Sequence, residues 1–398
     1  MTERLYYEDA YTLRFNADVV ERTEYKKKPA VILDRTYFYP ESGGQPPDNG
    51  QLNAARVIDV QTRETDRAVL HILEHPLDDA RVEAQIDAYR RFDHMQHHSG
   101  QHILSQALSR AAKAETVSVH MSTDSMTIDV NRAAIAPEEW LAAEELANQI
   151  VQQNLSVHCW YPSVDELATL PIRKMPEVVG KVRIVDMGGF DVTACGGTHV
   201  AHTGEIGLIK VVKYERRGDT TRLEFRCGTR AMSDYRSKND IINRLVSDLT
   251  VGYWEVPEAV KRLQADNKAL RSELKLVKDQ LADAEAQSLL AMAYTQGQWR
   301  VVSRAFEGRD TNEVRLLAQK IAARPDTIVL FGVAGEKSQI IFGRAQNVEI
   351  DVVPLLKQAL PLIKSERGGG KPDFAQGGGV PASLDEINSA LEAAQRQL

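Results

Sequence analysis

Short apolar, β-rich runs alternate with clusters of turn residues over the first ninety positions of the chain. The runs at 30–33 and 56–60 are rich in Val and Ile, and the cluster PESGGQPPDNG separates them at 40–50. Gly, Pro, Asn and Asp at the ends of such runs are typical of strands joined by turns. The pattern predicts a small β-barrel-like domain over residues 1–90.

A helical pattern begins at residue 93 and is expected to end near residue 112, because histidines and apolar residues recur there at helical spacing. A second helix is predicted at 138–154, with Pro137 in its first turn. Strands are predicted at 116–121, 125–130, 156–161, 182–187, 207–214 and 221–225. Together these elements predict an α+β domain over residues 91–228.

The pattern from 229 to 296 is helical, with an interruption at 252–257. Its second half carries a coiled-coil seam with residues alternately three and four apart, namely Val260, Leu263, Asn267, Leu270, Leu274, Val277, Leu281 and Ala284. A single core Asn often fixes register in a parallel dimer, but two helices of one chain can pack in the same way. A homodimer and an intramolecular hairpin therefore both remain open.

The last hundred residues, 297–398, predict a small α/β domain. Its strands are expected at 301–305, 327–333 and 339–343, and its helices at 312–323, 352–363 and 383–397. A glycine-rich loop, SERGGGKPDFAQGGG, lies between the last two helices. The whole chain is predicted to be a multidomain α+β protein with a β-barrel, an α+β domain, a helical coiled-coil linker and this α/β domain.

Composition and charge exclude several classes of protein. Hydrophobic residues make up 43% and charged residues 26% of 398 positions, which is ordinary for a globular chain and unlike a disordered or membrane-embedded one. The first residues lack the layout of a signal peptide and no long apolar run is present, so a cytoplasmic location is predicted. Three cysteines are too few for a disulfide framework, which leaves metal binding or burial as their expected roles.

The net charge of −7 argues against general polyanion binding, although one segment is locally basic. Residues 208–230 carry seven basic side chains against three acidic ones. Such a segment can face a phosphate backbone or form a solvated hairpin, and its sequence does not decide between the two. The basic residues are Lys210, Lys213, Arg216, Arg217, Arg222, Arg226 and Arg230.

Two separate motifs predict one metal site. His98 and His102 are four residues apart on the predicted helix, so both imidazoles can reach the same ion. In ACGGTHV, the flexible Gly196 and Gly197 can turn Cys195 and His199 back toward a common point. Three imidazoles and a thiolate suit a single Zn²⁺. His94 and His97 are competing donors from the same helix.

The same motifs resemble a known family. HHSGQHILSQAL is similar to the H-T/S-x-x-H-L-L signature of the alanyl-tRNA editing domain, and DVTACGGTHV to its C-G-G-T-H-V segment. FYPESGGQPPDNG, VSVHMSTDSMTIDV and GGGKPDFAQGGG resemble further segments of the editing and C-terminal domains of alanyl-tRNA synthetase. Because the chain has no room for an aminoacylation domain, it is expected to be similar to the long form of the AlaX trans-editing proteins.

The resemblance implies zinc-dependent hydrolysis of the ester in mischarged tRNA(Ala), chiefly seryl and also glycyl. Ser99 is then expected to recognise the serine hydroxyl, and His120 to contact substrate or water. The glycine-rich turn of the β-domain and the C-G-G-T-H segment are expected to approach the same site through Gly43, Gly44, Gln45, Gly196, Gly197 and Thr198. In the C-terminal domain, contact with the tRNA elbow is expected from Gly368, Gly369, Gly370, Lys371, Phe374 and Gln376.

Two alternatives to a tRNA deacylase remain. If all four ligands bind at once, the tetrahedral site is closed, and closed zinc sites are usually structural. The chain would then be a non-catalytic, zinc-braced tRNA-binding protein. The second alternative is a zinc hydrolase that acts on a small ester and is indifferent to tRNA.

Overall fold

Strands and helices alternate along the chain in this computed structural model, which describes residues 2–122, 125–173 and 181–398. The predicted multidomain α+β class is confirmed. Contacts divide the chain into two compact units, residues 1–245 and 246–398. Among the described residues, no helix combines the length and the apolar surface needed to cross a membrane.

The first eight strands confirm the predicted barrel. They are β1 (Glu3–Arg4), β2 (Arg14–Tyr25), β3 (Lys28–Leu33), β4 (Arg35–Thr36), β5 (Gly50–Leu52), β6 (Ala55–Thr62), β7 (Val69–Leu73) and β8 (Arg81–Ile86). Six of them close in the order β2-β3-β7-β6-β5-β8, while β1 pairs with β4 beside the barrel. In β8, Val82, Ala84 and Ile86 are buried and alternate with exposed polar residues. Because successive side chains of a strand point to opposite faces, these three apolar side chains all point into the barrel and help to fill its interior.

The rest of the first unit combines helices with two small sheets. Its elements are α1 (Ala88–Ala112), β9 (Thr116–Met121), β10 (Met126–Val130), α2 (Pro137–Gln152), β11 (Val157–Trp160), α3 (Val164–Thr169), β12 (Ile184–Met187), β13 (Val192–Ala194), β14 (Ile209–Arg217), β15 (Thr220–Cys227) and α4 (Gly228–Leu249). The sheets have the orders β14-β15-β10-β9 and β11-β12-β13. Helix α1 is buried along most of its length. At Gly100 it packs closely against the Cys227 thiol, which a Cβ atom at that position would overlap.

A buried ion pair joins α1 to the barrel. Arg91 and Asp48 are 1% and 0% exposed, and they pair directly. The Arg91 guanidinium also donates to the carbonyl oxygens of Ala10, at 2.6 Å, and Tyr37, at 2.5 Å. The Asp48 carboxylate accepts the backbone N–H of Tyr39 at 2.6 Å. Every charge in this contact is therefore matched inside the protein.

Replacing Arg91 with leucine is expected to destabilise the first unit strongly. The change leaves the Asp48 carboxylate buried without its counter-ion, which typically costs about 3–5 kcal/mol. Denaturant unfolding of the full chain measures the loss. Arg63→Leu is the matched control, since Arg63 pairs with Glu21 and Asp66 on the exposed surface and its loss is expected to leave the unfolding midpoint nearly unchanged. Equal midpoints for the two variants would contradict the prediction.

The second unit holds one mixed sheet with helices on it. Its elements are α5 (Val256–Ala291), β16 (Tyr294–Gln296), β17 (Trp299–Glu307), α6 (Thr311–Ala322), β18 (Thr327–Ala334), β19 (Gln339–Arg344), α7 (Val352–Ala359), β20 (Gly368–Lys371), β21 (Phe374–Gly378) and α8 (Leu384–Gln395). The sheet order is β16-β17-β18-β19-β21-β20. Only β17 and β18 pair in parallel among these strands.

The glycine-rich segment that was expected to be a loop is a β-hairpin. Gly368 pairs with Gly377 and Lys371 with Phe374, and Phe374 to Gly378 continue the ladder onto β19. A Cβ on Gly370 would lie 2.9 Å from the Ala375 side chain and would also crowd the backbone of β21. Glycine has a low propensity for strands, but here it allows the backbones of β20 and β21 to approach each other closely, and the hairpin forms.

The predicted coiled-coil seam lies on α5, and most of its apolar side chains face solvent in the single chain. Leu263, Leu270, Leu274, Val277 and Leu281 are each more than half exposed. Homodimerisation through this seam stays a prediction.

Candidate metal centre

Helix α1 brings two imidazoles to one side of its axis. His98 and His102 lie one turn apart, both are nearly buried, and their ring centroids are 5.2 Å apart. The 25-residue helix is rigidly placed, since its Asp87 cap accepts the N–H of Arg90 at 3.0 Å and its remaining length is packed in the core. The structure thus brings this predicted pair of imidazoles together, while their binding of a metal stays a prediction.

The second half of the site follows β13 directly. Cys195 and His199 flank a tight turn, and Arg183 holds that turn by donating to the carbonyl oxygens of Cys195, at 3.0 Å, and Gly197, at 2.9 Å. The Cys195 Sγ lies 3.3 Å from the Nε2 atoms of both His98 and His199. One ligand atom from each of His98, His102, Cys195 and His199 lies within 4.8 Å of all the others.

Each imidazole of the cluster has its other nitrogen engaged. The Nδ1 of His98 lies 2.8 Å from Gln45 Oε1, that of His102 lies 3.0 Å from Asp191 Oδ2, and that of His199 lies 3.1 Å from Ser99 Oγ. These contacts leave the three Nε2 atoms for an ion. A hydrogen bond from the distal nitrogen to a carboxylate or carbonyl oxygen is the usual way in which proteins orient metal-binding histidines.

The electrostatics of the cluster favour a thiolate. Burial alone would raise the pKa of Cys195, but the imidazoles of His98, His199 and His102 outweigh it and hold that pKa well below its ordinary value. Burial also opposes a charged His102, yet hydrogen bonds to Asp191 and to the thiolate raise its pKa to about 9. The pKa of His199 falls to about 3 because of burial. Without a metal, these interactions favour the thiolate form of Cys195 and the protonated form of His102.

Four donors of this kind fit zinc. A tetrahedral Zn²⁺ with Zn–N of ~2.0–2.1 Å and Zn–S of ~2.3 Å places two nitrogens roughly 3.3–3.4 Å apart and a sulfur and a nitrogen roughly 3.5–3.6 Å apart. The two sulfur–nitrogen distances of 3.3 Å are close to this spacing, so a small shift of the side chains would admit the ion. His98, His102, Cys195 and His199 are thus the residues that would hold the ion.

Zinc binding is expected to release about one proton per ion near neutral pH. The ion needs a neutral His102, whose pKa is raised to about 9, and a thiolate at Cys195, which the imidazoles favour by lowering its pKa. Affinity should therefore rise about tenfold per pH unit up to about pH 9 and level off above it. Calorimetric titrations in two buffers of different ionisation enthalpy count the protons.

Asp191→Asn is the matched variant for the measurement of protons released on zinc binding. It removes the carboxylate that stabilises the protonated imidazole, so fewer protons should be released at the same pH. Zinc affinity should also fall by about 10- to 100-fold, as is usual when the partner of a ligating histidine is lost. Zinc affinity that does not change between pH 6 and 8 in the wild type would rule out this assignment.

A cavity of about 420 Å³ opens beside the cluster. His98, His102 and Cys195 form part of its wall, the barrel contributes the turn at 43–45, and β9 contributes residues 116–119 and 121. Polar groups also line it, among them Gln101, Thr193 and the guanidinium of Arg173. Gly43, Gly44 and Gln45 thus lie at the wall of this cavity, and their role toward substrate stays a prediction.

The turn of the barrel is tied to the metal loop by Gln45. Its Nε2 donates to Thr198 Oγ1 at 2.8 Å, and its Oε1 accepts the N–H of Thr198 at 3.1 Å. Gln45 is 1% exposed. This one side chain therefore fixes both His98 and the C-G-G-T-H segment.

The two residues expected to meet substrate lie in different surroundings. Ser99 is fully buried, and its hydroxyl accepts the N–H of Val200 at 3.2 Å in addition to contacting His199. His120 is exposed on β9 and does not line the cavity. The contacts of both residues with substrate stay predictions. The hydrogen bond between Ser99 and His199 shows in addition that Ser99 orients one of the candidate metal-binding imidazoles.

The competing histidines lie outside the cluster. His97 Nδ1 lies 2.8 Å from the carbonyl oxygen of Asp93, and its Nε2 accepts the N–H of Cys227 at 3.1 Å. His94 is buried elsewhere along α1.

Sequence reasoning missed three residues of the site, namely Asp191, Arg173 and Arg183. Asp191 is buried and pairs with both His102 and Arg173, the latter at 2.8 Å. The sequence did carry one signal, since ligating histidines usually have a carboxylate partner and Asp191 stands four residues before Cys195.

The basic segment is largely matched by acidic side chains of the same unit. Lys210 pairs with Glu144, Arg222 with Asp129, and both Lys213 and Arg217 with Glu215. Arg216 donates to the carbonyl oxygen of Gly218 at 3.0 Å. Contact of these residues with tRNA stays a prediction.

Comparison with family models gives three matches. Residues 2–91 match the family described as tRNA synthetases class II (A), residues 182–224 match the threonyl and alanyl tRNA synthetase second additional domain, and residues 263–397 match the DHHA1 domain. The middle match contains Cys195 and His199.

Full-length relatives are similar to the chain. It is 30% identical over 411 residues to the alanyl-tRNA editing protein AlaX-L of Pyrococcus horikoshii, with 100% of each chain covered. It is 30% identical to the alanine–tRNA ligase of Pyrococcus abyssi and 35% identical to that of Halobacterium salinarum, over 98% and 99% of this chain. It spans 43% and 44% of those two ligases.

Solved structures show weaker likeness. The C-Ala domain of Aquifex aeolicus alanyl-tRNA synthetase is 21% identical with a TM-score of 0.23, covering 26% of this chain and 96% of that one. Exonuclease RecJ bound to manganese is 20% identical with a TM-score of 0.25, covering 38% of this chain and 35% of that one.

Proposed function

Because this chain belongs to the AlaX-L family of alanyl-tRNA editing proteins, we propose that it hydrolyses the ester of mischarged tRNA(Ala) in trans, as a zinc-dependent aminoacyl-tRNA deacylase. The observation that carries the proposal is the convergence of His98, His102, Cys195 and His199 on one point beside a cavity of about 420 Å³. A bound zinc supplies a fixed positive charge that attracts the oxygens of the ester and of the terminal ribose.

The residues of the chain account for binding and orientation. Gln45, Asp191 and Ser99 hold the three imidazoles, so the ligands need no reorganisation when substrate enters. Arg173 adds a positive charge to the cavity wall. The cavity is walled by protein on the sides of α1, β9 and the barrel turn, which limits the water that reaches the ester.

We propose seryl-tRNA(Ala) as the chief substrate and glycyl-tRNA(Ala) as a second one. The support is the polar character of the wall, where Gln101, Thr116 and Thr193 can exchange hydrogen bonds with a serine hydroxyl. A site that hydrogen-bonds a hydroxyl leaves its own polar groups unpaired when alanine enters, and the discrimination can reach ~10⁴-fold.

A panel of purified Ser-, Gly- and Ala-tRNA(Ala) tests the proposal. The wild type is expected to hydrolyse the seryl ester far faster than the alanyl ester, and His102→Ala is expected to fall to the spontaneous rate. Equal background rates for wild type and His102→Ala would instead favour a zinc-braced tRNA-binding protein, the second candidate, because a zinc held by all four side chains would have no open position. Hydrolysis that uncharged tRNA does not inhibit would favour a small-ester hydrolase.

We also propose that β20 contacts the tRNA outside its acceptor end. Residues 368–371 are exposed, and their backbone N–H groups and Lys371 can face phosphate. Full-length tRNA should bind Lys371→Gln more weakly than wild type, while an acceptor-stem minihelix should bind both alike. Unchanged affinity for full-length tRNA would contradict this role.

A further inference from the structure

A second cavity, of about 580 Å³, lies in the first unit at the N-terminal turns of α1. Tyr89, Arg90 and His94 of α1 line one side, and Arg226 and Arg230 from the junction of β15 and α4 line the other. It shares no lining residue with the cavity beside the metal cluster. We call it the arginine cavity.

Several hydrogen-bond donors of the arginine cavity have no partner among the described residues. His94 is 1% exposed and its Nδ1 is unpaired, and the buried Nε of Arg226 is unpaired as well. Arg90 uses its Nε for the carbonyl oxygen of Pro47, at 2.9 Å, while no described residue accepts from its Nη atoms. Buried polar groups are nearly always satisfied in native proteins, so His94 Nδ1 and Arg226 Nε point to a polar ligand, and the partly exposed Arg90 is available to it.

The charges around the cavity favour an anion. Three arginines and two aspartates line the cavity. Arg226 is paired with Asp234 at 2.6 Å and Arg230 with Asp93, so Arg90 is the arginine without a carboxylate partner among the described residues. Asp93 pairs with Arg230 and His97, and Asp87 accepts the N–H of Arg90 as the cap of α1. Burial lowers the pKa of His94 to about 4, so the ring is neutral near pH 7 and can donate one N–H without adding charge. The positive end of the α1 dipole adds to the attraction.

An exposed aromatic ring stands at the mouth of the cavity. Tyr89 is 64% exposed although it lines the site. A positive pocket beside an exposed aromatic ring is the usual way to bind single-stranded nucleic acid, with the phosphate on the cations and a base stacked on the ring.

The arginine cavity lies about one helical turn along α1 from the metal cluster. His94 precedes the ligand His98 by four residues, a rise of about 6 Å along the helix axis. Arg230 also donates to the carbonyl oxygen of Ser122, at 3.1 Å, just beyond β9, whose residues line the metal-side cavity. Residues of α1 therefore line both cavities, and Arg230 connects the arginine cavity to the residue that follows β9.

We infer that the arginine cavity binds one nucleotide of the single-stranded 3′ end of the substrate tRNA, with its phosphate on Arg90 and Arg226 and its base on Tyr89. The inference rests on the proposed function and extends it to the nucleotides that precede the acylated end. The arginine cavity would then contribute to binding of the substrate but not to hydrolysis of the ester.

The test uses Arg226→Gln and Tyr89→Ala in the full chain. Arg226→Gln leaves Asp234 paired, since Lys238 Nζ lies 2.5 Å from its other oxygen, and Tyr89 is largely exposed, so both variants are expected to fold. Tyr89→Phe keeps the ring and should bind like wild type. Arg14→Gln removes an equal charge from an exposed position on the barrel and is the matched control.

The first readout is fluorescence anisotropy with a labelled single-stranded RNA that ends in CCA. Each of the two variants should bind about tenfold more weakly than wild type. Arg226→Gln should also reduce the slope of log affinity against log salt by about 0.7, the value for one phosphate contact on a single strand. Wild-type affinity and slope in both variants would overturn the inference, and so would an equal loss in Arg14→Gln.

The second readout separates binding from chemistry. On mischarged tRNA, both variants should raise KM about tenfold and keep kcat within about twofold of wild type. On aminoacyl-adenosine, which lacks the preceding nucleotide, both variants should have the KM and kcat of the wild type. A fall in kcat at constant KM would overturn the inference, because the substitution would then act through α1 on the metal cluster. A wild type without any deacylase activity would refute the proposed function, while the RNA titration would still test the cavity.

Discussion

Gly197→Ala is expected to abolish zinc binding and reduce deacylation to the spontaneous rate. A Cβ atom built on Gly197 would overlap the imidazole of His98 and lie 2.9 Å from Gln45 Oε1. Neither neighbour can give way, because the two are hydrogen-bonded to each other and Gln45 is also bonded to Thr198. The imidazole must then leave the position in which its Nε2 faces Cys195. Metal analysis of the purified variant, with zinc affinity by competition, measures the loss, expected to exceed about 100-fold.

The adjacent glycine of the same motif provides the control. A Cβ on Gly196 would meet only Tyr7, with the hydroxyl oxygen at 3.7 Å, which is an ordinary van der Waals distance. Gly196→Ala should therefore bind one zinc and retain deacylation close to that of wild type. Full zinc occupancy in Gly197→Ala, or equal losses in the two variants, would show that the metal does not lie where the four side chains converge.

Cys195→Ala is expected to have an effect of similar size for a different reason. The substitution removes the only thiolate of the cluster and leaves three imidazoles, of which His102 gains part of its elevated pKa from that thiolate. Structural zinc sites draw on the order of 10 kcal/mol or more from four ligands, so the loss of one should weaken binding about 100-fold or more. Deacylation of Ser-tRNA(Ala) is expected to fall with zinc content.

Cys159→Ala is the matched control for this variant. Cys159 lies on β11 in the same unit, half-buried against the core and outside the metal cluster. Burial raises its pKa, so it is a neutral thiol near pH 7. This variant should keep its zinc and its activity. Persistent one-to-one zinc binding in Cys195→Ala would exclude the thiolate as a ligand.

The ligand set was predictable from the sequence because both halves are local motifs. The spacing of His98 and His102 depends only on helix geometry, and that of Cys195 and His199 on a turn that two glycines permit. The barrel was predictable for the same reason, since its strands are short β-rich runs that clusters of turn residues separate. In each case a few consecutive positions carry the information.

The supporting residues were not predictable in this way, because they act across long separations. Asp191 meets His102 from 89 residues away, and Gln45 meets Thr198 from 153 residues away. The hairpin at 368–378 was missed for a related reason. Its glycines disfavour a strand locally, and only pairing with β19 and the close approach of two backbones makes it one.

The central claim is that one zinc ion, held by two distant segments, is required for the hydrolysis of mischarged tRNA(Ala). Its most direct test is the deacylation of Ser-tRNA(Ala) by chelator-treated protein during titration with zinc. We expect the rate to begin at the spontaneous value and to rise linearly until one equivalent per chain has been added. Full activity in protein stripped of metal, or no activity after one equivalent has bound, would contradict the claim.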